Sequence, residues 1–147
     1  MKKLFSTNSQ NWYALIARLA LAIVIFPHGA QKMLGWFGGY GFSGTMGFFT
    51  GALHLPWMFG LMVILIEFIG SISLIAGFAS RFWASLIIVL MIGIITTSHL
   101  GNGFFMNWLG NQKGEGFEYH LLVIGLALTS VLIGSGRFSM DRLLVRK

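Results

Sequence analysis

Residues 12–34, 56–77, 82–100 and 117–134 are four apolar runs, each close to the ~20 residues a helix needs to cross ~30 Å of hydrocarbon. Few folds tolerate four such runs in one short chain. Inside a bilayer no water can satisfy a peptide group, so only helices or closed barrels span it. Runs of this length exceed a barrel strand's ~9–11 residues, so helices are expected. Charged residues make up 10% of the chain, against ~25% in soluble domains. The expected fold is therefore all-α, an integral membrane four-helix bundle formed by one domain over residues 1–147. Met1-Lys2-Lys3 is basic, but polar residues from Ser6 to Asn11 separate it from the first run. A retained first span is expected there in place of a cleaved leader.

The formal charge of +6 has a membrane explanation. Lys2, Lys3, Arg81, Arg137, Arg142, Arg146 and Lys147 all flank apolar runs, where the positive-inside rule places cations. Nucleic acid is thus not an expected partner, and the lipid bilayer is. Four spans put both termini and the link at residues 78–81 on one face, which the charge bias makes cytoplasmic, N-in and C-in. The other face receives residues 35–55 and 101–116, rich in glycine and aromatic residues and nearly free of charge. Such stretches suit the membrane interface and tight backbone, so they are expected as two outer lids. The chain has no cysteine. It cannot run dithiol chemistry or hold an iron–sulfur cluster, since both require thiolates.

Polar groups at membrane depth are costly and mark candidate sites. In the first run Arg18, Leu21, Ile25, His28, Gly29 and Lys32 share one side of a 100° wheel. Glu67 lies halfway along the second run, His99 ends the third, and Glu118 and His120 open the fourth. Arg18, His28, Lys32, Glu67, His99, Glu118 and His120 are therefore expected to converge on one interior, mostly in its outer half. Glu67 either locks two helices through an ion pair with Arg18 or accepts protons from a bound substrate. The spacing does not decide whether Arg18 or His28 is its neighbour. His28 either bonds a carbonyl freed by Pro27 or serves as a proton donor or ligand. No HxxxH, HExxH or CxxC pattern occurs, so no residue is assigned to a metal and haem or metal ranks below an organic ligand. His54 is alone in the first lid and is expected at the surface.

Arg18-Leu19-Ala20-Leu21-Ala22, then Pro27-His28-Gly29-Ala30-Gln31-Lys32 and Gly35-Trp36-Phe37-Gly38-Gly39, resemble the opening motif of the DoxX family. Glu67-Phe68-Ile69-Gly70, His99-Leu100, Gly103-Phe104-Phe105, Glu118-Tyr119 and the segment from Gly134 to Asp141 fit the same pattern. The resemblance implies a four-helix bacterial inner-membrane protein. Its relatives include the DoxD-type subunit of a thiosulfate:quinone oxidoreductase and membrane partners of a superoxide dismutase and a sulfurtransferase. With no cysteine to carry sulfane sulfur, thiosulfate turnover is not expected of this chain.

The leading expectation is a membrane component of an oxidoreductase system that binds a quinone or similar lipophilic redox molecule in an outer-half polar pocket. His28 and Lys32 would bind or protonate the head group, and Glu67 would relay the proton. Arg18, His99, Glu118 and His120 complete the cofactor-binding set. Two alternatives stand beside it. One is a non-catalytic anchor for a soluble redox or thiol-stress enzyme, and the other is a small-molecule permease. A soluble redox protein and further copies of this chain are the partners these readings would bring.

Overall fold

The computed structural model describes residues 5–8 and 10–145, and all regular structure among them is helical. Helix α1 (Trp12–Leu34) starts at Asn11, whose side chain accepts the Ala14 N–H. It continues through Pro27 and stops at Gly35, where φ is 75°. An N-terminal amide or hydroxyl cap and a left-handed glycine are the usual signals for these two events. Helix α2 (Gly41–Gly47) runs into a π turn at Phe48–Ala52. Helix α3 (Trp57–Ala76) follows Pro56 and stops at Gly77, with φ of 68°. Helix α4 (Ser80–Ile94) passes into a second π turn, Ile95–His99, and a 3-10 turn, Leu100–Asn102. Helices α5 (Glu118–Ile133) and α6 (Met140–Val145) complete the chain.

Three stretches are long and apolar enough to cross a membrane: Trp12–Leu34, Trp57–Ala76 and Ser80–Asn102. The expected fourth run is shorter as a helix. With 16 residues, α5 covers about 24 Å at ~1.5 Å per residue.

The four long helices close a ring in which α1 packs against α3 and α5, and α4 against the same two. Leu21, Ala22, Ile25, Ile87, Met91, Val123 and Ala127 fill its centre. Ile23, Met58, Val89, Leu122 and Leu132 face outward and exposed. Contiguous apolar surface of this kind is a liability in water and ordinary in lipid. The closest approach is between α1 and α3, where a Cβ on Gly29 would lie 2.5 Å from the Phe68 nitrogen and 2.6 Å from the Glu67 carbonyl carbon. Only glycine lets the two backbones meet there.

One end of the ring is sealed by polar contacts. Arg18 is fully buried and donates to the carbonyls of Leu74, Ile75 (2.9 Å), Arg137 (3.3 Å) and Phe138 (3.2 Å). Asp141, also buried, accepts the N–H groups of Ala79 (2.7 Å) and Ser80 (3.2 Å) and the Ser135 hydroxyl. That carboxylate caps α4 and starts it at Ser80, two residues before the apolar run at Phe82. Arg137 N–H donates to the Asn11 carbonyl at 3.2 Å, and Gly136 N–H to Thr7 Oγ1 at 2.7 Å. Thr7 and Asn11, the α3–α4 link and the α5–α6 segment thus share one end. The site lies toward the other.

Candidate functional site

The site is built around an ion pair. Lys32 Nζ donates to Glu67 Oε2 at 2.5 Å, with the glutamate side chain 4% exposed and the lysine 24%. Gly29, one turn before Lys32, brings α1 close enough to α3 for the ammonium to reach a carboxylate in mid-helix. Lys32 Nζ also lies 3.5 Å from the His28 carbonyl. A carboxylate in such a setting must be paired or hydrogen-bonded, because isolated burial of a charge is prohibitive. The partner of Glu67 is therefore Lys32, and neither of the two neighbours weighed from the sequence, Arg18 and His28, fills that place.

A cavity of about 400 Å³ opens beside this pair. Its α1 wall is Ile25, His28 and Lys32, three positions of the face read from the helical wheel. Val63 and Glu67 come from α3, and Met91 and Ile94 from α4. Phe48, Phe49, Leu53 and Leu55, in and after the first π turn, supply an apolar flank. The second π turn delivers Thr97, Ser98 and His99. One extra residue per turn shifts a helix's facing positions, and such bulges gather at functional sites.

The mouth carries aromatic and imidazole groups in sequence. The ring centroids of His28 and Tyr119 are 6.0 Å apart, those of Tyr119 and His120 5.3 Å, and those of His120 and His99 4.5 Å. His99 Nδ1 is 2.7 Å from the Glu115 carbonyl oxygen. A carbonyl can only accept, so Nδ1 carries the proton and Nε2 keeps its lone pair. The Tyr119 hydroxyl and His120 Nδ1 are buried without a hydrogen-bond partner. Both side chains line the cavity. Unpaired polar atoms in a cavity wall mark where a ligand's polar atoms belong.

The cavity brings together His28, Lys32, Glu67, His99 and His120 from the seven residues selected by sequence. Two go elsewhere. Arg18 does not line it, because the free carbonyls at the end of α3 and beyond α5 hold its guanidinium at the sealed end. Glu118 turns to the loop above, where Oε1 accepts Met106 N–H at 3.1 Å and Trp108 Nε1–H at 3.2 Å. Conversely, Glu115 lines the cavity and was not selected; Oε2 accepts Asn107 N–H at 2.7 Å. Its signal was present as an acid in a loop nearly free of charge. Tyr119 stood in the Glu118-Tyr119 motif and the apolar flank in the aromatic stretch 35–55, neither selected as site residues. His54 is exposed, as expected. Among the described residues, no three His, Cys, Asp or Glu side chains gather closely enough to hold a metal ion.

Known proteins place this arrangement in a family. The DoxX sequence pattern matches residues 13–100, more than half of the chain and a span that includes His28, Lys32, Glu67 and His99. Over 131 residues the chain is 24% identical to inner membrane protein YphA of Escherichia coli (strain K12), an alignment covering 87% of each protein. No solved structure matches. With apolar membrane-length helices, an outward apolar surface and the family motif on one fold, this chain is a multi-pass inner-membrane protein and belongs to the DoxX family.

Proposed function

We propose that this chain is a four-span, N-in and C-in component of a membrane oxidoreductase system that binds a quinone or similar flat lipophilic redox molecule in the cavity. The observation that carries the reading is the Lys32–Glu67 pair set in the wall of a mostly apolar cavity. Pockets for organic ligands are of this kind, about 300–1,000 Å³, mostly apolar, with few polar groups that fix orientation. A quinone takes up two electrons and two protons when reduced. Lys32 and His28 supply hydrogen bonds and protons to its ring oxygens, and Glu67 exchanges the proton with Lys32. The Phe48 and Phe49 flank suits a planar ring. Electrons come from a soluble redox partner.

Of the alternatives, the permease needs a polar route to the far face. The Arg18 and Asp141 contacts fill that end of the ring. The anchor reading predicts that partner binding is indifferent to the cavity. The discriminating measurement is organic extraction of the purified protein, followed by chromatography for quinone. Wild-type protein should carry quinone, and His28→Ala and Lys32→Met/Glu67→Met should lose at least about 90% of it. Consistent absence from wild-type protein purified with native lipid would overturn the reading.

A further inference from the structure

At the mouth of the cavity two imidazoles from different helical segments face one another. His99 ends the second π turn and His120 lies in the first turn of α5, with ring centroids 4.5 Å apart. Their states complement each other. The Glu115 carbonyl fixes the proton of His99 on Nδ1 and leaves Nε2 as a free donor of electrons. A backbone carbonyl holding the far nitrogen is the arrangement that orients histidines as metal ligands. His120 is 6% exposed, and its Nδ1 is buried with no partner. Solvation does not satisfy that nitrogen, and no protein group does.

We propose that His99 and His120 form a site for a soft monovalent cation, Cu(I), completed by the thioether of Met106. With ring centroids 4.5 Å apart and planes at 41°, the two rings would hold an ion ~2.0–2.1 Å from one nitrogen of each as a bent pair. That geometry leaves open positions for further ligands. The chain has no thiolate to fill them. No third His, Asp or Glu stands close enough among the described residues, which removes the usual zinc donor sets. Met106 lines the same cavity, and the Glu118 carboxylate holds its backbone N–H at 3.1 Å. Imidazole suits copper, and thioether sulfur selects the cuprous ion. The site stands on its own residues whether or not a quinone occupies the cavity.

The test is anaerobic titration of the purified full chain with Cu(I) in competition with a colorimetric chelator. One ion per chain is expected, and His99→Ala and His120→Ala should each weaken binding by about 100-fold, and Met106→Leu by about 10-fold. His54→Ala, an exposed histidine on the first loop, should change nothing. X-ray absorption should show a nitrogen shell plus one sulfur, the sulfur vanishing in Met106→Leu. Size-exclusion elution checks that each variant is folded. If His120→Ala elutes abnormally, His99→Ala on the more exposed ring carries the same test. Binding of less than half an equivalent would sink the proposal. So would unchanged affinity in a folded His99→Ala variant, or tighter binding of Zn(II) than of Cu(I).

Discussion

A lysine two residues from the end of a membrane helix would ordinarily send its ammonium outward to water and headgroups. Lys32 turns inward to Glu67 instead, and the reason is local. Gly29 admits the α3 backbone, and among the described residues Lys32 is the cation paired with this mid-helix carboxylate. Breaking one side of a buried pair leaves an uncompensated charge, whereas replacing both can be neutral. Lys32→Met should therefore cost about 3–5 kcal/mol in unfolding free energy. The double variant Lys32→Met/Glu67→Met should recover most of that loss while remaining unable to hold quinone. Thermal unfolding in detergent compares them with Glu67→Met alone, and a double-variant loss equal to the sum of the two single losses would show that the two residues are uncoupled. The sequence placed Glu67 at mid-depth and on the inner face, but it left Arg18 and His28 as the neighbours in question. A helical wheel assigns a face. It does not say how far a flexible side chain travels along the axis, and Lys32 lies 14 positions from Arg18 on α1, about 21 Å of helix.

At the scale of elements, helix ends were legible wherever a chemical stop signal exists. Gly35 and Gly77 end α1 and α3 in the left-handed conformation, and Glu118 opens α5 as the reading of the fourth run required. The two π turns were not legible, since one inserted residue hardly changes the hydrophobic pattern of a five-residue window. Their effect is large, because they turn Phe48, Phe49 and His99 into the cavity. The segment from Gly134 to Asp141, read as part of the family pattern, is a clasp joining α3, α4 and α5. Asp141→Ala would strand two buried N–H groups and the Ser135 hydroxyl, at about 1–3 kcal/mol for each group left unpaired. Asp141→Asn, which keeps an acceptor, should lose less. Differential scanning calorimetry or dye-monitored melting in detergent ranks the two. A milder loss for alanine than for asparagine would mean that the carboxylate does not cap α4.

For the molecule as a whole, the clasp bears on topology as well as on stability. It fixes Thr7 and Asn11, the α3–α4 link and the α5–α6 segment at one end, so α1, α3, α4 and α5 each travel from that end to the other or back. Arg81 strengthens the grouping, because Nε donates to the Ser6 carbonyl at 3.1 Å and its guanidinium to the Val131 carbonyl. Among the described residues the clasped end carries Arg18, Arg81, Arg137 and Arg142, while Lys32 stands in the site and Lys113 in the second loop. On the proposed N-in, C-in reading, charge bias of this kind puts the clasped end toward the cytoplasm. At about 24 Å, α5 is short for ~30 Å of hydrocarbon, and as the proposed fourth span it would need local thinning or flanking residues at modest cost. Because the chain has no cysteine, single introduced thiols report orientation without background. Lys113→Cys, on an exposed loop position, should react with a membrane-impermeant maleimide in intact spheroplasts. Gln10→Cys, exposed at the clasped end, should react only after permeabilisation. Labelling of both from outside would mean that α5 fails to cross with the other three. Labelling of Gln10→Cys alone would invert the bundle, and the cavity with its imidazole mouth would then open to the cytoplasm.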